Sequence, residues 1–209
     1  MEKQENKKAI LIFLFICALI IMGLYNSRKD EISLNSNRIT TIGRVTKIKK
    51  DRHAGSIRFE FYANGKLVQT KNPNKSGWPK YVRESKARRF EFYPVEYDYT
   101  NPENSKILIT RKPLAIDKIL REGIRIKGEV ENAYETSNSY VDLYIKYTYL
   151  KNQFHFRTRQ HKDSLPCKTV EKCKKSKIDL LISKDFPDIN NLYYSSYDRK
   201  AMKKSKRLR

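Results

Sequence analysis

Ile57-Arg58-Phe59-Glu60-Phe61-Tyr62-Ala63-Asn64-Gly65-Lys66-Leu67-Val68 spells out a β-hairpin in sequence. Ile57, Phe59 and Phe61 alternate with Arg58 and Glu60, the two-residue period of a strand that puts one face into a core. Asn64-Gly65 follows, the dipeptide for a tight hairpin turn, because both central residues must tolerate positive φ. Around this hairpin, Thr41–Ile48 reads as a preceding strand opened by Gly43. Ser76-Gly77-Trp78-Pro79 interrupts the sheet. Pro79 stands where a helix can begin, and Tyr81–Arg89 is expected as a short one. Phe90–Tyr97 is a long strand in which Pro94 removes a ladder donor, so an edge position or a bulge is expected there. Asn101-Pro102-Glu103-Asn104 is a turn, and Lys106–Thr110 a last strand.

The pattern returns at an offset of about 85 residues. Gly43-Arg44-Val45 falls on Gly128-Glu129-Val130. Tyr93, Val95 and Tyr97 fall on Ile178, Leu180 and Ile182, and Pro102 falls on Pro187. Ile57–Tyr62 matches Val141–Tyr147 within a residue of slippage. The second copy reads as strands Arg125–Ala133, Tyr140–Leu150, Phe154–Arg159 and Lys177–Ser183, with a helical turn near Thr169–Lys174. Ala115–Arg121 between the copies is expected as a linker helix. The fold class is therefore mainly β. Two tandem small β-barrel or roll domains, SH3-like or OB-like and each with a short helix, span residues 39–115 and 116–197. Periodicity does not separate the two barrel types.

Ala9 to Tyr25, AILIFLFICALIIMGLY, is uncharged; seventeen helical residues cover roughly 25 Å, near the lower limit for a bilayer core. Residues 1–8 form its flank and 26–38 a linker. A cleaved signal peptide and a buried core helix compete with an anchor, but Met22–Ser27 lacks small residues at the spacing a peptidase needs, and Leu14-Phe15-Ile16 before Cys17 is no lipoprotein signal. Cys17 itself reads as lipid-facing filler. Lys3, Lys7 and Lys8 nearly balance Arg28, Lys29, Arg38 and Arg44 across the span. The short basic flank favours a cytoplasmic N-terminus, with the bulk of the chain outside the cytoplasm at a bacterial inner membrane.

The formal charge is +22. Residues 39–115 hold seventeen basic and seven acidic side chains, residues 116–197 fifteen and eleven, and the tail 198–209 seven and one. Such a field suits anionic lipid headgroups, an acidic protein or nucleic acid. The abundance of Lys, Asn, Ile and Tyr is also what an AT-rich genome produces. In the tail, Arg199, Lys200, Lys203, Lys204, Lys206, Arg207 and Arg209 are candidates for contacting an anionic surface, as an electrostatic clamp.

Tyr93-Pro94-Val95-Glu96-Tyr97-Asp98-Tyr99-Thr100-Asn101-Pro102-Glu103-Asn104-Ser105 resembles a family of membrane-anchored bacterial β domains of unknown function, in which a strand runs into a Tyr-Asp-Pro-x-Asn-Pro type turn. Gly43-Arg44-Val45 supplies that family's Gly-x-Val strand, and Tyr99 stands where its first Pro belongs. The likeness covers residues 43–110, with Phe186-Pro187-Asp188-Ile189-Asn190 as a worn second version. It implies a membrane-tethered β module and carries no catalytic residues.

Chemistry-bearing residues are sparse. His53, His155 and His161 read as surface imidazoles, since His155 and His161 are about 20 Å apart in an extended strand. Cys167 and Cys173 are wrongly spaced for a zinc pair, leaving a short disulfide loop or two free thiols open. If Thr169–Lys174 were helical, their Cα atoms would be about 9 Å apart, too far to bridge. Glu96 and Asp98 share a strand face, as many solvated pairs do. No nucleophile–base constellation or phosphate-cradling Gly loop is present, so no catalytic residue, cofactor or metal ligand is assigned, and the chain is not read as an enzyme. Basic residues interleaved with aromatics, as in Arg58–Tyr62 and His155–Arg157, occur on nucleic-acid-binding barrels, but plain alternation of core and surface explains them. The expected function is a non-enzymatic binding or scaffolding role at the bacterial envelope. The alternative is a membrane-tethered immunity protein against a secreted toxin, and third comes a basic nucleic-acid-binding module.

Overall fold

A computed structural model describes residues 2–49 and 55–199. It opens with helix α1 (Glu2–Ser36), whose stretch Ile12–Ser36 is long and apolar enough to cross a membrane and is not buried against the rest of the chain. The helix runs on past the apolar run through residues 26–36, where a linker was expected. Two antiparallel sheets follow. The first contains β1 (Arg38–Lys49), β2 (Ser56–Ala63), β3 (Lys66–Pro73), β4 (Phe92–Asp98) and β5 (Ser105–Ile107), in the order β3-β2-β1-β4-β5. After α2 (Ile116–Arg121), the second contains β6 (Ile124–Glu135), β7 (Tyr140–Tyr149), β8 (Asn152–His161) and β9 (Lys177–Ile182), in the order β8-β7-β6-β9. Short helices α3 (Val170–Cys173) and α4 (Asn191–Ser195) flank β9.

The pairing follows the sequence offset. Gly43 sits opposite Tyr93, and Gly128 opposite Ile178. Register shifts fall between Val45 and Lys47 in β1, and between Val130 and Asn132 in β6, the same place in each copy. Both glycines are required by close approach. A Cβ on Gly43 would lie 2.5 Å from Val95 Cγ2, and one on Gly128 2.5 Å from Leu180 Cδ1. The hairpin turn has the expected geometry, with φ of 51° at Asn64 and 76° at Gly65. Its counterpart in the second sheet makes the same turn with Leu150 and Lys151 at φ of 47° and 63°, a conformation non-glycine residues seldom take.

Each sheet has its own core. Val45, Ile57, Phe59, Phe61, Tyr93, Val95 and Tyr97 pack in the first; Val130, Leu143, Ile145, Ile178, Leu180 and Ile182 pack in the second. A third cluster joins the halves, where Phe186 and Ile189, from the loop after β9, meet Phe92, Ile119 and Leu120. Phe186 packs edge-on to both Tyr62 and Phe92.

Several expectations need correction. Tyr81–Arg89 is not helical: a 3-10 turn at Lys75–Gly77 leads into irregular chain up to Glu91. The segment presents Tyr81 (87% exposed) and four basic residues to solvent, so no buried face supports a helix this short. Strand β4 begins at Phe92 rather than Phe90, because Phe90 turns the chain at φ 65°. Pro94 lies in an interior strand, not at an edge. It is tolerated because its carbonyl faces β5, where it accepts from Leu108 N at 2.8 Å just beyond the end of β5, and no reciprocal donor is needed from it. The small helix of the second half, α3, has no counterpart at the same place in the first.

Candidate functional site

The turn that follows β4 ties the first sheet to the end of α1. Asp98 ends the strand and caps the turn, its Oδ1 accepting from Thr100 N (2.9 Å) and Thr100 Oγ1 (2.6 Å). Its other oxygen accepts from Ser33 Oγ on the helix at 2.5 Å. Asn104 Nδ2 donates to Asp30 O (2.7 Å), and Tyr99 N donates to Asn37 O (3.1 Å). The Ser33 hydroxyl, then Thr100, hold the Asp98 carboxyl down to about 2. Glu96, expected beside Asp98 on one strand face, pairs instead with Arg38 across to β1 at 3.3 Å. The turn after β4, Asp98 to Asn104, is thus where helix and sheet are locked together.

Beside this clamp, a cleft of about 510 Å³ opens between the two sheets. The start of β1 (Ile39, Thr40, Thr41) and Tyr97 form one side. The hairpin tips Asn64-Gly65 and Tyr149–Asn152 form a second side, and Lys184, Asp185 and Pro187 a third. The tips touch one another, Asn152 Nδ2 donating to Gly65 O. Tyr62 OH donates to Asp188 Oδ2 at 3.0 Å across the halves. Burial pushes the Asp185 carboxyl up, and burial together with the nearby Asp185 charge pushes Tyr97 up. The lining offers aromatic faces, two exposed lysines and one carboxyl with a raised affinity for its proton. This chemistry suits holding a ligand of intermediate polarity, with tyrosine faces for packing and Lys151 and Lys184 for an anionic group. Sequence reasoning missed the cleft because its walls come from both copies; the paired hairpin turns were the available signal.

Cys167 and Cys173 are joined in a disulfide with Cα atoms 5.0 Å apart. The expected 9 Å does not arise, since the helix starts only at Val170 and Lys168, at φ 73°, folds Cys167 back on it. Arg199 is not free for an anionic surface: its guanidinium lies 3.5 Å above the Tyr193 ring and donates to Tyr193 O and Arg157 O. Lys200, Lys203, Lys204, Lys206, Arg207 and Arg209 lie outside the described residues, as does His53. His155 and His161 sit on β8, each near an acidic neighbour, Glu131 at 3.2 Å and Asp163 at 3.3 Å respectively. Among the described residues no three His, Cys, Asp or Glu side chains are grouped to hold a metal ion.

The charges of the second sheet's outer face are largely matched. Arg157 and Arg159 both reach Asp142, at 2.7 Å each, and Lys146 lies 3.5 Å from Glu129 and 3.6 Å from Glu131. The hydrogen bond from Arg159, and then the Arg157 contact, outweigh burial and lower the Asp142 carboxyl.

No protein-family model matches the chain, and no curated protein matches it in sequence.

Proposed function

We propose that the chain is a single-pass, membrane-tethered binding or scaffolding protein of the bacterial envelope, non-enzymatic, with its sheets outside the cytoplasm. The observation that carries this reading is the clamp of Ser33, Asp98, Asn104 and Tyr99. It fixes a β module to the end of an apolar helix, as holding the module in a set pose above a membrane requires. The Cys167–Cys173 disulfide supports an oxidising compartment. The reading of each half as a small SH3-like or OB-like roll is supported in the first sheet, where Asn72 of β3 bridges to β5. Its side chain donates to Ser105 O and accepts from Ile107 N, drawing the two edges together. Neutralisation of a secreted toxin is one form such binding would take.

Two enzymatic reporters fused after Arg209 test the placement, one active only outside the cytoplasm and one only inside. Activity of the outside reporter is expected, and activity of the inside reporter overturns the envelope reading. Crosslinking in intact membranes followed by pull-down then tests the binding role, with a discrete partner expected.

A further inference from the structure

Lys75–Phe90 joins β3 to β4 as a strap that carries six basic residues and one acidic residue. It is pinned at its ends. Asn74 N donates to Gly55 O, Phe90 N to Val45 O, and Arg88 N to Tyr93 OH. Between these points it exposes Trp78 (40%), Tyr81 (87%), Val82 and, at its end, Phe90 (61%). Aromatic faces and cations are already interleaved: Lys75 Nζ lies 5.8 Å from the Trp78 ring, Arg89 4.4 Å from Phe90, and Arg83 Nε donates to Trp78 O. Among the described residues Lys80, Lys86 and Arg88 make no ion pair, in contrast to the matched charges of the second sheet.

We propose that this strap is the docking surface for an acidic segment of a partner protein. The inference rests on the tethered-binding reading above and names the partner's chemistry. Solvent-facing Trp and Tyr beside Arg are the residue types that dominate protein–protein binding energy, and the net positive charge selects an acidic counterpart. Position argues against the bilayer. Strand β1 starts next to α1, and the strap is bonded to it at Val45 and, through Arg89 Nε, at Thr46; seven residues of strand put that end ~23 Å further along. Strand β4 likewise runs from the strap down to Asp98 at the helix. The strap therefore lies at the end of the first sheet remote from the membrane helix. The disulfide argues for an oxidising compartment and so against the nucleic acid of the cytoplasm.

Trp78 is the only tryptophan in the chain, so its emission reports this site alone. The test uses the full chain in phosphatidylcholine nanodiscs, titrated with a fluorescein-labelled glutamate–tyrosine copolymer as the acidic probe. Trp78 emission and probe anisotropy are followed. Binding is expected, weakened about tenfold by Lys80→Ser/Arg83→Ser/Arg88→Ser and by Trp78→Ala, and unaffected by Lys203→Ser/Lys204→Ser/Arg207→Ser in the tail. These strap side chains are exposed, and unchanged circular dichroism shows that the variants fold. The proposal is overturned if the strap variants bind the copolymer as the parent does. It is also overturned if phosphatidylglycerol vesicles or oligothymidine move Trp78 emission at lower concentration than the copolymer. Either failure leaves the tethered reading standing, since that is decided by the topology reporters.

Discussion

Replacing Phe186 by Ala should uncouple the two halves of the protein. Phe186 is fully buried, its ring 5.3 Å from Phe92 and 5.4 Å from Tyr62, both in edge-to-face contact, with the Arg44 guanidinium 5.4 Å above it. Truncation of a buried Phe to Ala costs about 3–5 kcal/mol through lost transfer energy and the cavity left behind. The two ring pairs, at about 0.5–1.5 kcal/mol each, put this site toward the upper part of that range. The loss falls on the cluster between the sheets and touches neither sheet's own core. Urea unfolding of the detergent-solubilised chain should therefore change in two ways. With a slope of about 2 kcal/mol per molar, the midpoint of the affected half should drop by about 2 M. One transition should also become two, with Trp78 fluorescence following the first sheet and circular dichroism following both. Phe186→Leu, which keeps most of the volume, should cost about 1.5 kcal/mol or less and leave a single transition. A Phe186→Ala variant that unfolds in one step, displaced by less than about 1 kcal/mol, would refute the assignment of this ring as the keystone between the halves.

Gly43→Ala should destabilise more than Gly128→Ala, within an overpacking range of about 1–3 kcal/mol, because the new methyl meets the stiff Val95 and sits 3.2 Å from the Glu60 carbonyl, whereas Leu180 can rotate its terminal methyl aside; paired thermal melts check the order. The Asp98 carboxyl is held down to about 2, below its unfolded range near 4. Its contribution is thus complete above that range and is lost as pH falls through about 2. Hydrogen exchange at residues 30–37 should rise in that window, and Asp98→Asn should remove the pH dependence. Opening the Cys167–Cys173 loop by Cys→Ser at both positions should cost about 2 kcal/mol on loop-closure grounds, and the same loss should appear in the parent under reductant.

What was legible in the sequence was whatever local geometry alone dictates. The hairpin of β2 and β3 follows from Asn64-Gly65, whose positive φ values no tertiary contact has to impose. Gly43 and Gly128 were legible as a repeated mark, and the offset they define carries through to pairing and bulge. What failed were inferences that needed a neighbour. Tyr81–Arg89 has helix-compatible residues, but of its apolar side chains only Ala87 packs against the core. Residues 26–36 look like a polar linker, yet stay helical where Asp98, Tyr99 and Asn104 reach over to hold them. The sequence left Cys167 and Cys173 open between a disulfide and free thiols, because the choice turns on the chain reversal at Lys168, which has no local signature.

The position of the cleft follows from one asymmetry between the copies that is itself written in the strands. On the core side the two sheets match, Val95 standing where Leu180 does and Phe59 where Ile145 does. On the other side they diverge where the first sheet meets the loop after β9. Ile42, Phe92 and Tyr62 in the first sheet face Phe186 and its loop, whereas Lys127, Lys177 and Thr148 take those places in the second. The cross-strand pair is kept with its polarity reversed, Arg44–Glu60 in the first sheet becoming Glu129–Lys146 in the second. An apolar outer face must be covered, and the loop after β9 covers it; a face of paired charges need not be. The halves meet on the loop of residues 183–190 and on their hairpin tips. The space left between those contacts is the cleft.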